Sequence, residues 1–175
     1  MRVRGSDLSS STSLLEALRH RDAGCARAAL LRDDAHAYNP FNLVVADAER
    51  AWLWSYDGKE ARAHDLGPGL HIVTNRAPEY LVPRCEIARE RWPADPDVAR
   101  LREVLTVHGP GRQATCFHTG SRRGAPHGTR SAAILRVAPT LGRSELHVAD
   151  GAPCETRLED RSALLRELAA GSSRS

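Results

Sequence analysis

The sequence of 175 residues contains no apolar run that approaches the roughly 18 residues of a membrane-spanning helix. Its basic start, MRVRGSDLSSSTS, lacks the apolar core that a secretory signal needs. Lys59 is the one lysine among 25 lysine and arginine residues, and the arginines are scattered among 22 acidic residues instead of forming a basic stripe. We therefore predict a soluble, cytoplasmic protein that binds neither a membrane nor nucleic acid.

Motifs that identify common enzyme classes are also missing. The patterns GxGxxG, GxxxxGKS/T, GxSxG and HExxH do not occur in the sequence. Nucleotide-binding, hydrolase-elbow and zinc-protease functions are therefore without support. We predict no cofactor from this absence.

The four cysteines lie far apart and form no CxxC pair. Cys116 and His118 are the closest thiol and imidazole in the sequence, and His108 and His127 lie near them. A structural zinc site usually takes two such close pairs, and the sequence shows one. We therefore predict free thiols, with a core cysteine and solvent-facing histidines in this segment, and no metal site.

Hydrophobic periodicity and turn residues predict both helices and strands. Helices are expected from the capping box Ser13-x-x-Glu16, over Asp22–Arg32, in two pieces between Pro83 and His108, and over Ser162–Ala169. Strands are expected over Phe41–Ala46, Ala51–Tyr56, Ala61–Leu66, Leu70–Val73, Ala114–Thr119, Ser131–Ala138 and Glu145–Ala149. The first strand is apolar on both faces, which predicts a central, fully covered strand. Antiparallel hairpins with helices between them predict an α+β architecture.

Three blocks of sequence, YNPFNLVVADAERAWLWSYDG, LGPGLHIVTN and HGTRSAAILRV, resemble the NRDE-domain family in their order and spacing. Members of this family are relatives of the transport and Golgi organisation protein two and are similar to N-terminal-nucleophile hydrolases. The resemblance runs from about Ser13 to about Arg157 and implies a four-layer αββα sandwich with two antiparallel sheets. We therefore expect a flexible N-terminus over 1–12, the C-terminal part of such a domain over 13–168 with its N-terminal strands missing, and a disordered tail over 169–175.

The resemblance also implies two site residues with supporting catalytic roles. The segment TNRAP matches the turn in which similar cysteine acylases hold an asparagine that donates to the oxyanion, which implies that role for Asn75. The segment GTRS implies that Arg130 supports the nucleophilic thiolate. Each residue also has an ordinary alternative, because asparagine stabilises turns and arginine forms surface ion pairs.

The family's cysteine nucleophile is absent, since residue 2 is Arg2 and no Asn-Arg-Asp-Glu segment occurs. We therefore expect a C-terminal fragment or subunit that is inactive alone and pairs with an N-terminal polypeptide or a second copy of itself. Once completed, it is a candidate amide or ester hydrolase or acyl transferase. The alternative is a non-catalytic protein that binds or carries a small molecule of lipid or haem type, in an apolar pocket lined by Trp52 and Trp54.

Overall fold

The computed structural model describes residues 17–32, 39–74, 83–109, 113–122 and 125–172. The chain divides into two compact units, Met1–Tyr80 and Leu81–Ser175, which we call the N-terminal unit and the C-terminal unit. The described residues form helices, two three-stranded antiparallel sheets and one two-stranded sheet. The α+β class is therefore confirmed. The predicted capping box at Ser13 lies outside the described residues.

In its described part, the N-terminal unit has a helix packed on a three-stranded meander. Its described elements are α1 (Ala23–Leu30), β1 (Phe41–Ala46), β2 (Ala51–Tyr56) and β3 (Ala61–Leu66), with β2 in the centre of the sheet. The three strands have the predicted bounds. The Asp57 carboxylate accepts hydrogen bonds from the Lys59 and Glu60 amides, and Gly58 takes a φ of 99° that favours glycine. The predicted Asp-Gly turn therefore sets the β2–β3 register.

The prediction that Phe41–Ala46 is the covered central strand is wrong within the part of the chain that the structure describes. β1 is an edge strand there, and Val44 is 46% exposed. β2 is the covered strand, because all of Trp52–Tyr56 is buried. Two successive hairpins place the middle strand in the centre, and its tryptophans bury more surface than the aliphatic side chains of β1.

The strand predicted over Leu70–Val73 does not form, although this segment is described. Leu70 and Val73 are exposed. The Asn42 side-chain amide donates a hydrogen bond of 2.7 Å to the Thr74 carbonyl just beyond the segment. A side-chain contact therefore holds this end of the segment to β1, in place of a backbone ladder.

The C-terminal unit combines three helices with two small sheets in its described part. The elements are α2 (Pro83–Glu90), α3 (Val98–Leu105), β4 (His118–Arg122), β5 (Ala125–Gly128), β6 (Ala132–Arg136), a 3-10 turn (Leu141–Arg143), β7 (Glu145–Ala149), β8 (Glu159–Asp160) and α4 (Ser162–Ser172). β4 pairs with β5, and β6, β7 and β8 form an antiparallel sheet in that order. α4 runs three residues beyond the predicted Ala169.

The strand predicted over Ala114–Thr119 begins instead at His118. The preceding residues complete the end of α3: the Thr115 hydroxyl donates to the Val104 carbonyl at 2.5 Å, and the Cys116 amide donates to the Val107 carbonyl at 3.1 Å. Because these groups form hydrogen bonds with carbonyl groups at the end of α3, they cannot also form the backbone hydrogen bonds of a sheet. β5 lies in a segment that the sequence analysis treated as a connection.

Within the described residues, every helix is too short or too polar to cross a membrane.

Candidate metal centre

Four side chains of the C-terminal unit, His108, Cys116, His118 and Cys154, point their ligand atoms at one another. All four atoms lie within 4.8 Å of each other. The Cys116 and Cys154 sulfurs are 3.5 Å apart, and His118 Nε2 lies 3.7 Å from the first sulfur and 3.1 Å from the second. The His108 and His118 rings stack with centroids 5.3 Å apart. We call this set the Cys2His2 cluster.

Strand register explains why residues so distant in sequence meet. His118 at the start of β4 pairs with Gly128 at the end of β5. Four residues later β6 begins at Ala132, which pairs with Ala149 at the end of β7. The start of β4 and the turn after β7 therefore lie near the two ends of one short connection, residues 129–131. Cys154 lies in that turn.

The end of α3 holds two of the cluster-bearing segments. The Cys116 amide is bound to the Val107 carbonyl, one residue before His108. The Arg102 guanidinium donates to the Pro153 carbonyl at 3.2 Å, next to Cys154. These two hydrogen bonds position the segments that carry the cluster without relying on any bond between the cluster side chains. Such preorganisation is what a binding site requires.

The β5–β6 connection also holds the segment that contains Cys116 and His118. The Thr129 amide donates to the Phe117 carbonyl at 2.9 Å, and the Thr129 hydroxyl accepts from the Phe117 amide at 3.2 Å. Gly128 lies so close that a Cβ atom there would be 2.6 Å from the Phe117 oxygen. Phe117 separates two members of the cluster, so this close backbone approach fixes both.

The separations match tetrahedral coordination. A zinc ion bound by two thiolates and two imidazoles holds its sulfurs about 3.8 Å apart and each sulfur about 3.6 Å from each nitrogen. The measured sulfur–sulfur distance of 3.5 Å and sulfur–nitrogen distances of 3.7 and 3.1 Å scatter around these values. The widest permitted pair, at 4.8 Å, involves His108 and exceeds the tetrahedral spacing by about 1.2–1.5 Å.

Burial differs across the cluster. Cys116 is buried and Cys154 is half-buried, whereas both histidines are exposed. Burial, first, and the neighbouring Cys116 thiol, second, raise the pKa of the Cys154 thiol above its ordinary value. Two thiolates at this distance repel each other strongly, and a cation between them removes that repulsion. The cluster is thus open to solvent on its histidine side and closed on its Cys116 side.

The donor types select among metals. Two sulfurs and two imidazole nitrogens suit zinc and other borderline or soft transition metals, whereas magnesium and calcium take oxygen ligands. Four protein ligands complete a tetrahedron, so the cluster has the ligand count of a structural site and not of a catalytic one with an open position.

A cysteine–histidine nucleophile is the competing use of the same atoms, because the His118–Cys154 distance of 3.1 Å is within hydrogen-bond reach. Activated cysteines have lowered pKa values and lie near positive groups. The pKa of Cys154 is raised instead, and a second thiol is its neighbour. The cluster therefore fits metal coordination better than nucleophilic catalysis.

Of the two residues assigned by resemblance, the structure describes Arg130 alone, and it is not part of this cluster. Asn75 lies outside the described residues. Arg130 is exposed in the β5–β6 connection, next to Thr129. Trp54 is fully buried in the core of the N-terminal unit. Trp52 backs a cleft of about 290 Å³ whose lining mixes charged residues such as Arg27 and Asp65 with apolar ones such as Leu31.

Sequence reasoning considered three of the four cluster residues and missed Cys154. It counted close pairs, and Cys154 follows Cys116 by 38 positions. Its setting, GAPC, is a usable signal. Core residues ordinarily lie in strands and helices, whereas this cysteine lies in a turn with glycine and proline that follows a strand. The side chain of His127, which lies near Cys116 in the sequence, is outside the described part of the structure.

Fold and site together define an α+β protein whose C-terminal unit carries a candidate Cys2His2 metal centre. No protein-family model, no curated protein and no solved structure matches the chain.

Proposed function

We propose that the C-terminal unit binds one transition-metal ion, zinc foremost, through His108, Cys116, His118 and Cys154, and that this ion has a structural role. The observation that carries the proposal is the convergence of all four ligand atoms within 4.8 Å. Hydrogen bonding alone would explain a contact between one cysteine and one histidine. It gives no reason for two thiols and two imidazoles to converge on one point.

The ion would join three parts of the fold that few large side chains hold together. His108 follows α3, Cys116 and His118 lie just before and at the start of β4, and Cys154 lies after β7. In small zinc modules the metal-binding free energy is folding free energy, of about 10–16 kcal/mol at neutral pH. One ion is therefore sufficient to stabilise the packing of these three segments.

Metal content of the purified full chain tests the proposal. We expect about one zinc per chain by inductively coupled plasma mass spectrometry after purification without chelators. Replacing zinc by cobalt should produce the absorption bands of tetrahedral Co²⁺ together with thiolate-to-metal charge transfer. Metal-free protein that also fails to give the cobalt spectrum contradicts the proposal.

Cysteine variants supply the matched control. Cys116→Ser and Cys154→Ser should each lower the bound zinc, because each removes a thiolate ligand. Cys85→Ser should retain it, since Cys85 is buried in the same unit but outside the cluster. Equal zinc content in all three variants contradicts the assignment of ligands.

We propose as a second candidate that the chain is the C-terminal part of an NRDE-type, N-terminal-nucleophile-hydrolase-like protein with the four-layer sandwich. Two observations support it besides the three sequence blocks. β2 is buried on both faces, as a sheet inside a sandwich requires, and antiparallel three-stranded sheets occur in both units. Asn75 and Arg130 keep the supporting roles that the resemblance implies.

A panel of amides and esters tests this second candidate. We expect the chain alone to hydrolyse none of them, and activity to require an N-terminal polypeptide that supplies a cysteine nucleophile. Turnover by the chain alone that disappears when one of its own cysteines is replaced contradicts this expectation. Untargeted mass spectrometry of co-purified small molecules tests the ligand-carrier alternative, which predicts a lipid- or haem-type compound.

A further inference from the structure

We propose that the metal centre is redox-responsive: a hydroperoxide oxidises Cys154, Cys116 then forms a disulfide with it, and the metal ion is released. This inference rests on the proposed metal binding and adds a mode of regulation to it. It follows from the distance between the two sulfurs and from their unequal access to solvent.

The two sulfurs are in van der Waals contact. They lie 3.5 Å apart, and a disulfide is about 2.05 Å long, so an approach of about 1.5 Å in total forms the bond. Cys25 and Cys85 are also free, and neither joins the cluster within the described residues. Oxidation within the chain therefore has one favoured pair.

Exposure assigns different roles to the two thiols. Cys116 has no solvent-accessible surface, whereas Cys154 is half-buried and has the exposed His118 beside it. An oxidant arriving from solvent reaches Cys154 first. Cys116 is then the resolving thiol, since it lies behind Cys154 within contact distance.

The segment around Cys154 lies between β7 and β8. It is a turn held by hydrogen bonds from the Glu155 and Thr156 amides to the Ala152 carbonyl and by the Arg102 contact to Pro153. These bonds leave the backbone of Cys154 itself outside any strand ladder. The Cys116 backbone is held by the hydrogen bond from its amide to the Val107 carbonyl.

The chemistry balances with a hydroperoxide as the oxidant. The Cys154 thiolate attacks one oxygen of hydrogen peroxide and breaks the O–O bond, which forms a sulfenic acid and releases hydroxide. The Cys116 thiolate attacks the sulfenic sulfur, forms the S–S bond and expels a second hydroxide. Two electrons pass from the sulfurs to the peroxide, while zinc stays Zn²⁺ and leaves because it has lost both thiolate ligands. A dithiol reductant returns the two electrons and restores both thiols.

Peroxide treatment of the zinc-loaded full chain tests the inference. We expect zinc release, read with a chromophoric chelator, to rise in step with one disulfide that links the peptides containing Cys116 and Cys154. Dithiothreitol and added zinc should then restore one zinc per chain. The Cys25→Ser/Cys85→Ser double variant should behave like the unaltered chain.

The outcomes separate the two proposals. Reduced protein that binds no zinc overturns the proposed function and this inference with it. Protein that binds zinc but retains it under peroxide, or loses it with only sulfinic acid on Cys154 or a disulfide to Cys25 or Cys85, overturns this inference and leaves metal binding intact. In Cys116→Ser, which needs no metal for this readout, the peroxide-treated chain should carry sulfenic or sulfinic acid on Cys154 ahead of Cys25 and Cys85. Preferential oxidation of either other thiol contradicts the assigned order of attack.

Discussion

The two units bury different kinds of side chain. In the N-terminal unit, Trp52, Trp54 and Tyr56 pack with Ala23, Ala26 and Leu30 of α1 in one cluster. The Trp52 indole also donates to the Ala23 carbonyl at 2.9 Å. An aromatic side chain removes about 150–250 Å² from water, which stabilises the fold by roughly 4–6 kcal/mol at about 25 cal/mol per Å².

The C-terminal unit buries mainly small residues. Among the described residues of this unit, the buried apolar side chains are those of Cys85, Val104, Ala114, Cys116, Ile134, Ala149, Ala152, Pro153 and Leu165. The three largest of these are aliphatic, and burying such a side chain contributes about 1.5–3 kcal/mol. The comparison shows why the proposed metal crosslink would matter more here, because a bound ion can supply stability that a small core does not.

The largest test of this contrast is removal of the metal. Adding a strong chelator should destabilise the C-terminal unit by about 5 kcal/mol or more, the linkage free energy when free zinc exceeds its dissociation constant by four orders of magnitude. Hydrogen-exchange mass spectrometry should show protection lost in α3, β6 and β7 but kept in β1–β3. Equal loss in both units breaks the comparison.

The complementary test removes an aromatic side chain from the other core. Trp54 is 0% exposed and lies 4.8 Å from the Phe41 ring, centroid to centroid. Trp54→Ala should cost the N-terminal unit about 3–5 kcal/mol because a large cavity remains. Hydrogen exchange in β1–β3 measures the loss, and zinc content should stay unchanged. Trp92→Ala is the control. Because Trp92 is 43% exposed, this substitution should lower the free energy of unfolding far less.

A smaller effect should follow from one methyl group beside the cluster. In Gly128→Ala the new Cβ meets the Phe117 carbonyl oxygen at 2.6 Å, so the backbone between Cys116 and His118 must shift. Overpacking of this kind costs about 1–3 kcal/mol, which corresponds to roughly 5- to 150-fold weaker zinc binding. Competition with a chromophoric chelator measures the affinity.

Gly142→Ala is the matched control in the same unit. Its Cβ meets the Ala169 Cβ at 3.6 Å, an ordinary contact, so zinc affinity should not change. Equal losses in both glycine variants indicate a general destabilisation and contradict the specific role of Gly128.

The smallest expected effect is a pH dependence in the N-terminal unit. Hydrogen bonds from the backbone amides of Glu49, Ala23 and Arg50 lower the pKa of Asp47. A carboxyl whose pKa is lower in the folded state stabilises the fold above its unfolded pKa, about 3.9, and this stability is lost as the pH falls through the folded value. Asp47→Asn should therefore flatten the acid side of the stability curve of β1–β3, measured by denaturant titration at several pH values.

Glu49→Gln serves as the control for this pH dependence. The Glu49 side chain is exposed, 3.8 Å from Arg50. The stability of Glu49→Gln should fall at low pH in the same way as that of the unaltered chain. An unchanged acid side of the stability curve in Asp47→Asn contradicts the role of the three backbone hydrogen bonds.

Local signals in the sequence determined much of the secondary structure. The bounds of β1, β2, β3 and β7 match the predictions because alternation and the Asp-Gly turn act over a few residues. The start of α3 is also set locally, since the Asp97 carboxylate caps the helix by accepting from the Arg100 amide at 2.8 Å. The α+β class followed from the order of these elements.

Tertiary structure alone decided which strand is covered, where β4 begins and which side chains meet. Those outcomes depend on pairing between distant segments, and hydrophobic pattern carries no register between strands that are not joined by a tight turn. Cys154 joins Cys116 and His118 because β6 and β7 pair in one register, which returns the chain to the start of β4. The sequence by itself determined that four cysteines and several histidines are present. Folding decided that two cysteines and two histidines lie within 4.8 Å of one another.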